Sequence, residues 1–281
     1  GEYLMVQKRI AQIQSWLDAV QEDGRVHGYV NANGAVTGRM THSSPNVAQV
    51  PAGSAPYGKQ CREVWTVPTG YKLVGMDASG LELRMLAHYM NDEGYTNEIL
   101  TGDIHTANQL AAGLETRNQA KTFIYAFLYG AGDAKIGSIV GGNARDGKRL
   151  KEKFLANTPA LRTLRERVGV AAGRGYVFGL DGRRVYVRSE HAALNTLLQS
   201  AGAIVMKKAL CLLDEYATTW NIDYNFIGNI HDEIQTEVRE EEAEVFGRLA
   251  TSCVEAAGLF YKLNCPLAGE YQVGSNWSDT H

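Results

Sequence analysis

Two aspartates set the chemistry this chain could perform. Asp77 closes a short apolar run, Leu73–Met76, just before Ser79-Gly80 and a stretch in which Leu83, Leu86 and Ala87 recur at helical spacing. A carboxylate where a core strand gives way to a helix is a common metal position. The alternative is an aspartate that caps the helix. Asp232 lies in Tyr224–Val238, where the even positions Tyr224, Phe226, Ile230, Ile234 and Val238 are apolar and the odd ones mostly polar. That alternation predicts two half-buried strands joined at a tight corner. Asp232 stands on the apolar parity, where a lone carboxylate is costly and calls for a partner or a cation. It could equally be an exposed turn aspartate. The two are 155 positions apart, a separation that sheet pairing can close. Side by side they could hold two divalent cations about 4 Å apart, the arrangement used in phosphoryl transfer. Oxygen donors favour magnesium or manganese over zinc.

A second set falls on one helix face. After Thr116, a suitable N-cap, Arg117, Lys121, Tyr125 and Tyr129 recur every four residues, and Gly130 and Gly132 end the run. The stripe is first cationic and then aromatic, with Phe123 and Phe127 on the opposite, inward side. Cations for phosphates followed by a ring for a base suit a nucleoside triphosphate; an aromatic stripe alone would suit a core. A third row, His191, Asn195 and Gln199, lies on a long apolar helix that starts at Ser189 and runs to about Tyr216. These side chains either satisfy one another or touch a nucleic-acid groove.

The elements that must position these groups follow from the rest of the chain. Its 281 residues, 44% hydrophobic and 21% charged, permit one large or two modest domains. Gln7–Gln21 is an amphipathic helix, and Ile10, Ile13 and Trp16 are expected to form an exposed apolar edge. Tyr29–Pro56, rich in Gly, Asn, Ser and Pro, is expected to be irregular. Lys135–Ala172 is helical, with breaks at Gly141-Gly142 and Pro159. Tyr176–Arg188 is a hairpin turning at Asp181-Gly182. Glu240–Ala257 is an acidic amphipathic helix. The formal net charge is −3, yet residues 135–188 carry +9 and the remainder −12, which points to a local polyanion surface or to two solvated basic helices. Cys61, Cys211, Cys253 and Cys265 lack Cys-x-x-Cys spacing and are expected to be reduced thiols in a cytoplasmic protein. The longest helix-like apolar segment, Ala201–Leu213, is broken by Lys207 and Lys208, so no membrane span is expected.

Three segments together resemble the polymerase I-like (family A) DNA polymerases, and most closely those of short-tailed bacteriophages. They are Asp77-Ala-Ser-Gly-Leu-Glu-Leu-Arg84, Arg117-x-x-x-Lys121-x-x-x-Tyr125-x-x-x-Tyr129-Gly130 and His231-Asp-Glu233. Thr37-Gly-Arg39, Pro45–Pro51, Gly102-Asp-Ile-His105 and Leu197–Gly202 support them. The resemblance implies an α+β fold: a palm with an antiparallel sheet and helices, plus a mostly helical fingers subdomain. Expected divisions are an N-terminal helix and irregular segment over 1–70, palm over 71–100, fingers over 101–188, and palm with a tail over 189–281. It implies template-directed addition of deoxynucleoside triphosphates to a primer 3′-hydroxyl, with two Mg²⁺ ions (Mn²⁺ able to substitute) held by Asp77, Asp232 and the Ala78 carbonyl. Arg117, Lys121 and His105 would hold the triphosphate, and Lys121 would protonate the leaving pyrophosphate. Tyr125 would stack at the incoming sugar and base, a residue that in the family goes with acceptance of dideoxynucleotides. Glu82 with Tyr125 would exclude a ribose 2′-hydroxyl. Tyr129 would guard the template position. Arg39 and Gln199 would probe the minor-groove acceptors that correct pairs share. Asn195, His191, His231 and Glu233 would shape the primer end.

The upstream exonuclease and thumb of full-length members have no counterpart in these residues. The expectation is therefore an excised fragment or one part of a split enzyme, without proofreading, working with a second polypeptide that supplies thumb and exonuclease. The stretch between Leu164 and Phe178 looks shorter than in close relatives. A rival expectation is a primer-template binding fragment that is idle without that partner. A single-subunit RNA polymerase is disfavoured by Glu82.

Overall fold

The computed structural model describes residues 1–280. In chain order the elements begin with α1 (Glu2–Leu17), β1 (Tyr29–Asn31), β2 (Thr41–Ser43), α2 (Gly58–Glu63), β3 (Tyr71–Ala78), α3 (Leu81–Met90), α4 (Glu93–Leu100) and α5 (Ile104–Ala112). There follow α6 (Arg117–Leu128), α7 (Asp133–Ser138), α8 (Ala144–Asn157), α9 (Pro159–Ala172), β4 (Tyr176–Phe178) and β5 (Arg184–Tyr186). The last are α10 (Glu190–Thr219), β6 (Tyr224–Ile230), β7 (Glu233–Arg239), α11 (Ala243–Phe260) and β8 (Gly269–Gly274). The fold is α+β, and the chain forms two compact units. One comprises residues 1–79, 203–260 and 267–281, the other 80–202 and 261–266. The division falls at 80 and inside α10, so residues 80–100 and 189–202 cluster with 101–188 rather than with the flanking sheet segments.

The first unit is built on a four-stranded antiparallel sheet of order β6-β7-β3-β8. α11 covers one face, where the Tyr224 ring lies 5.5 Å from that of Phe246. Gly247 of α11 sits so close to the Tyr271 ring of β8 that a Cβ would fall 2.1 Å from a ring carbon. Across the opposite face runs the C-terminal tail: Trp277 joins Trp16, Val50, Cys61 and Leu73 in a buried cluster, with Trp65 and Ile13 packed against it.

Three expectations need correction here. The alternation in Tyr224–Val238 does not make β7 half-buried, because Glu233, Gln235 and Glu237 are also at most 4% exposed. The tail and the segment after α1 cover that face and supply hydrogen-bond partners: Trp277 for Glu233, Thr280 for Gln235 and Arg25 for Glu237. A bulge at Ile227 also breaks the parity. Phe226 stays opposite Thr236 while Ile230 ends opposite Glu233, on the Trp277 side. Thirdly, Trp16 is buried and Ile13 partly so, because Trp65 and Trp277 close over them. The exposed side of α1 is Tyr3, Leu4, Ile10 and Leu17. Within the segment expected to be irregular, β1 and β2 pair as a short antiparallel ribbon.

The second unit is mostly helical. The breaks expected at Gly141-Gly142 and Pro159 separate α7, α8 and α9. Asn143 forms a capping box with Asp146, and Pro159 opens α9 at the position where a missing N–H costs nothing. Its core is aromatic: Phe123 and Phe127 of α6 meet Phe154 of α8 edge-on, at 5.1 and 5.4 Å.

By length and composition alone α10 could cross a membrane, but 61% of its apolar window is buried. Lys207, within it, donates to Ala32 O and Asn33 Oδ1. All four cysteines are free thiols, and burial pushes the Cys253 thiol up to about 11.

Candidate active site

In the first unit the sheet brings the two aspartates together. Antiparallel pairing sets Asp77 of β3 opposite Glu233 of β7. The Ala78 N–H donates to the Asp232 carbonyl at 3.0 Å. Each carboxylate therefore leaves the sheet at the same end, from neighbouring strands. Asp77 is exposed and Asp232 half-exposed. β3 stops because Gly80 takes φ +58°, a left-handed conformation from which α3 departs. The β6–β7 corner has only His231 and Asp232, and His231 itself adopts φ +63°. Asp232 is thus a corner residue that faces partly outward, not one buried on the apolar face.

Around this corner polar groups are crowded. Arg39 and His231 line a small recess with Gly38, Met206, Lys207 and Asn229. Loss of water lowers the His231 pKa, the nearby Arg39 charge lowers it further, and Asp232 and Glu233 pull it back. His42 is 8% exposed, and burial depresses its pKa while the nearby Asn229 backbone pulls it back. In the sequence His42 falls within the stretch expected to be irregular and carries no assigned role. Glu233 is buried beside the corner. Its carboxylate turns under the tail, where one oxygen accepts from Trp277 Nε1 and Gln235 Nε2, each at 2.6 Å. These bonds brace the corner from below.

The second unit carries the cationic stripe. Thr116 and Gln119 form a full capping box at the start of α6. Arg117 and Lys121 are exposed, Tyr125 is half-buried, and Phe123, Ile124, Phe127 and Leu128 are buried behind them. Arg117 is already engaged, its Nε and Nη2 donating to the two oxygens of Asp103 at 2.6 and 3.1 Å. That guanidinium holds the Asp103 carboxyl well below the usual carboxylate range. Asp103 also caps α5 through the His105 and Thr106 N–H groups. His105 lies 6.3 Å from the Tyr125 ring, and burial, then the Arg117 and Lys121 charges, lower its pKa. The Glu82 carboxylate accepts from the Tyr129 hydroxyl at 2.8 and 2.9 Å, a link the sequence did not suggest. Among the described residues, His191, Asn195 and Gln199 make no hydrogen bond to one another. Their four-residue row is therefore not a self-satisfied network; His191 is exposed and the other two half-exposed.

The donor set bears on which ion could sit at the corner. Among the described residues no cluster of three or more histidine, cysteine, aspartate or glutamate side chains gathers. What the corner offers is one exposed and one half-exposed carboxylate beside the backbone of the buried Ala78. An all-oxygen set of this kind fits a hard, partly hydrated cation such as Mg²⁺ and does not fit zinc.

Comparison with known proteins bears on the whole chain. A family model described as DNA polymerase family A matches residues 2–279. The DNA-directed DNA polymerases of Enterobacteria phage T3 and Escherichia phage T7 are each 48% identical, over 100% of this chain and 45% of the relative. The thermostable DNA polymerase I of Thermus aquaticus is 29% identical over 90% of this chain and 32% of its own length. A solved structure described as the POL domain of Pol1 from M. smegmatis, in complex with DNA primer-template and dNTP, matches with TM-score 0.89 at 26% identity. That match covers 98% of this chain and 52% of the other. The chain therefore spans less than half the length of these phage relatives.

Proposed function

The chain belongs to DNA polymerase family A, and from that premise we propose that it performs template-directed DNA synthesis. The observation that carries the reading is the β3–β7 register, which places Asp77 and Asp232 at one end of one sheet. In the proposed reaction the primer 3′-oxygen attacks the α-phosphorus of a deoxynucleoside triphosphate. A new P–O bond forms, the bond to the β-phosphate breaks, and pyrophosphate leaves. Asp77, Asp232 and the Ala78 carbonyl would hold two divalent cations. Bound there, the ions supply Lewis-acid polarisation and neutralise developing charge.

The remaining work falls to side chains. Arg117 offers a planar fork of donors to the triphosphate, and Asp103 holds that fork in one orientation before substrate arrives. Lys121, one turn on, neutralises the same phosphates and gives its proton to the departing pyrophosphate. His105, whose pKa burial and the Arg117 and Lys121 charges lower, offers the triphosphate a hydrogen bond. Tyr125 presents its ring to the incoming sugar and base. Glu82, anchored by Tyr129, meets a ribose 2′-hydroxyl and disfavours it. Tyr129 occupies the template position until a templating base replaces it. Arg39 and Gln199 read minor-groove acceptors, while His191, Asn195, His231 and Glu233 shape the primer end.

The test is primer extension by the chain on a primed template, with each of the four nucleotides offered singly. The reading predicts incorporation of the complementary nucleotide alone, and its loss in Asp232→Asn with duplex affinity retained. Binding of primer-template with no incorporation by the unaltered chain would favour an idle binding module instead.

A further inference from the structure

The β4–β5 hairpin of the second unit carries a surface that the proposed reaction does not use. Pairing sets Tyr176 opposite Tyr186, Val177 opposite Val185 and Phe178 opposite Arg184. The two valines point inward and are at most 3% exposed, so Tyr176, Phe178, Arg184 and Tyr186 share the outward face. Phe178 is 53% exposed and Tyr186 67%, an unusual display of apolar area on three-residue strands. The Tyr176 and Phe178 rings meet edge-on at 5.4 Å. The Arg184 and Arg174 guanidinium carbons stand 4.9 and 5.8 Å from the Tyr176 ring centre. Asp181, the one carboxylate between residues 174 and 188, is neutralised by Arg183 at 2.6 Å. The face therefore pairs open rings with a surplus of guanidinium charge.

Cross-strand aromatic pairs stabilise ribbons, but that role does not require the rings to stay open to water, nor arginines around them. Charge complementarity selects a polyanion, and the open rings select among polyanions. A duplex hides its base faces within the stack, and an acidic peptide would pair with the arginines while leaving the rings unused. Unpaired nucleic acid alternates a phosphate with a flat base, matching a surface that alternates guanidinium and ring. We propose that the outward face of the β4–β5 hairpin binds single-stranded nucleic acid, with bases stacked on Phe178 and Tyr186 and phosphates held by Arg174 and Arg184. Identifying that strand as unpaired template rests on the polymerase reading; the binding itself does not.

The test uses the full chain and a fluorescein-labelled oligodeoxythymidylate, followed by anisotropy with chelator present and no nucleotide. Phe178→Ser combined with Tyr186→Ser should weaken binding about tenfold or more and leave the salt dependence unchanged. Phe178→Trp should keep the affinity, and its indole emission should be quenched on binding. Arg184→Gln should lower the slope of log affinity against log salt by about one. Unchanged affinity in the serine double variant would overturn the proposal. So would competition by polyglutamate in which the ring substitutions matter equally. Because the assay needs neither metal nor chemistry, Asp232→Asn should bind normally; failed extension by the unaltered chain with intact oligonucleotide binding would sink the synthesis reading and leave this one standing.

Discussion

Removing one hydrogen from the tail tests how the aspartate corner is held. Trp277→Phe keeps an aromatic ring in the buried cluster, against Trp65 and under Arg62, whose guanidinium lies 4.7 Å from the ring centre. It deletes the donor that reaches Glu233 Oε1 at 2.6 Å. Glu233 is 4% exposed, and of the two donors on Oε1 Gln235 Nε2 would remain. Leaving a buried charged acceptor short of a partner costs about 1–3 kcal/mol. A chain of this size loses roughly 2–4 °C of Tm per kcal/mol, so a drop of about 2–12 °C is expected. Glu233→Gln should cost at least as much for a different reason. Arg62 is 6% exposed and, among the described residues, its Nη1 has no hydrogen-bond partner; burial lowers its pKa and the charge of Glu233 pulls it back. Urea unfolding of both single variants and the double variant should show strong non-additivity, because the two substitutions disable one interaction. Stabilities within about 0.3 kcal/mol of the parent, or simple additivity, would refute the claim that the tail braces β7 through this carboxylate.

Three further outcomes follow from particular contacts. Gly247→Ala drives a methyl into the Tyr271 ring and should destabilise the first unit by about 1–3 kcal/mol, read by thermal unfolding; a neutral result would contradict the α11–β8 packing. Asp103 has a folded pKa below its ordinary 3.8, chiefly through Arg117. Its stabilising contribution is therefore full above that value and lost as pH falls through the lower folded value. Asp103→Asn should flatten the acid limb of stability in that window and raise the KM for nucleotide by releasing Arg117; an unchanged acid limb would argue against the pair. Glu82→Ala should raise ribonucleotide incorporation about tenfold or more relative to deoxynucleotide and untether Tyr129, measured by competing substrates; unchanged selectivity would remove Glu82 from the sugar site.

How far the sequence reached depends on how local each feature is. α6 was readable because its cap, its stripe and its terminating glycines all fall within sixteen residues of Thr116. The breaks around α8 were readable for the same reason. The burial of Glu233, Gln235 and Glu237 was not, since polarity at alternate positions normally signals water, and the partners that replace water are 44, 45 and 212 positions away. The bulge at Ile227 adds one residue without altering composition, so periodicity cannot locate it. The two aspartates stood out by type and position, yet the sequence left their placement open; the β3–β7 register sets both at one end of one sheet. The Asp103–Arg117 and Tyr129–Glu82 links join helices whose approach no spacing rule encodes.

The most direct test of the central claim is the single-turnover rate of one complementary nucleotide addition, measured for the parent, Asp77→Asn, Asp232→Asn and the double variant. If the two carboxylates act as one cation-holding unit, each single substitution should slow the step on the order of 10³-fold, and the double variant should be little slower than either. A rate near that of the parent in either single variant would contradict the account, as would losses that multiply in the double variant.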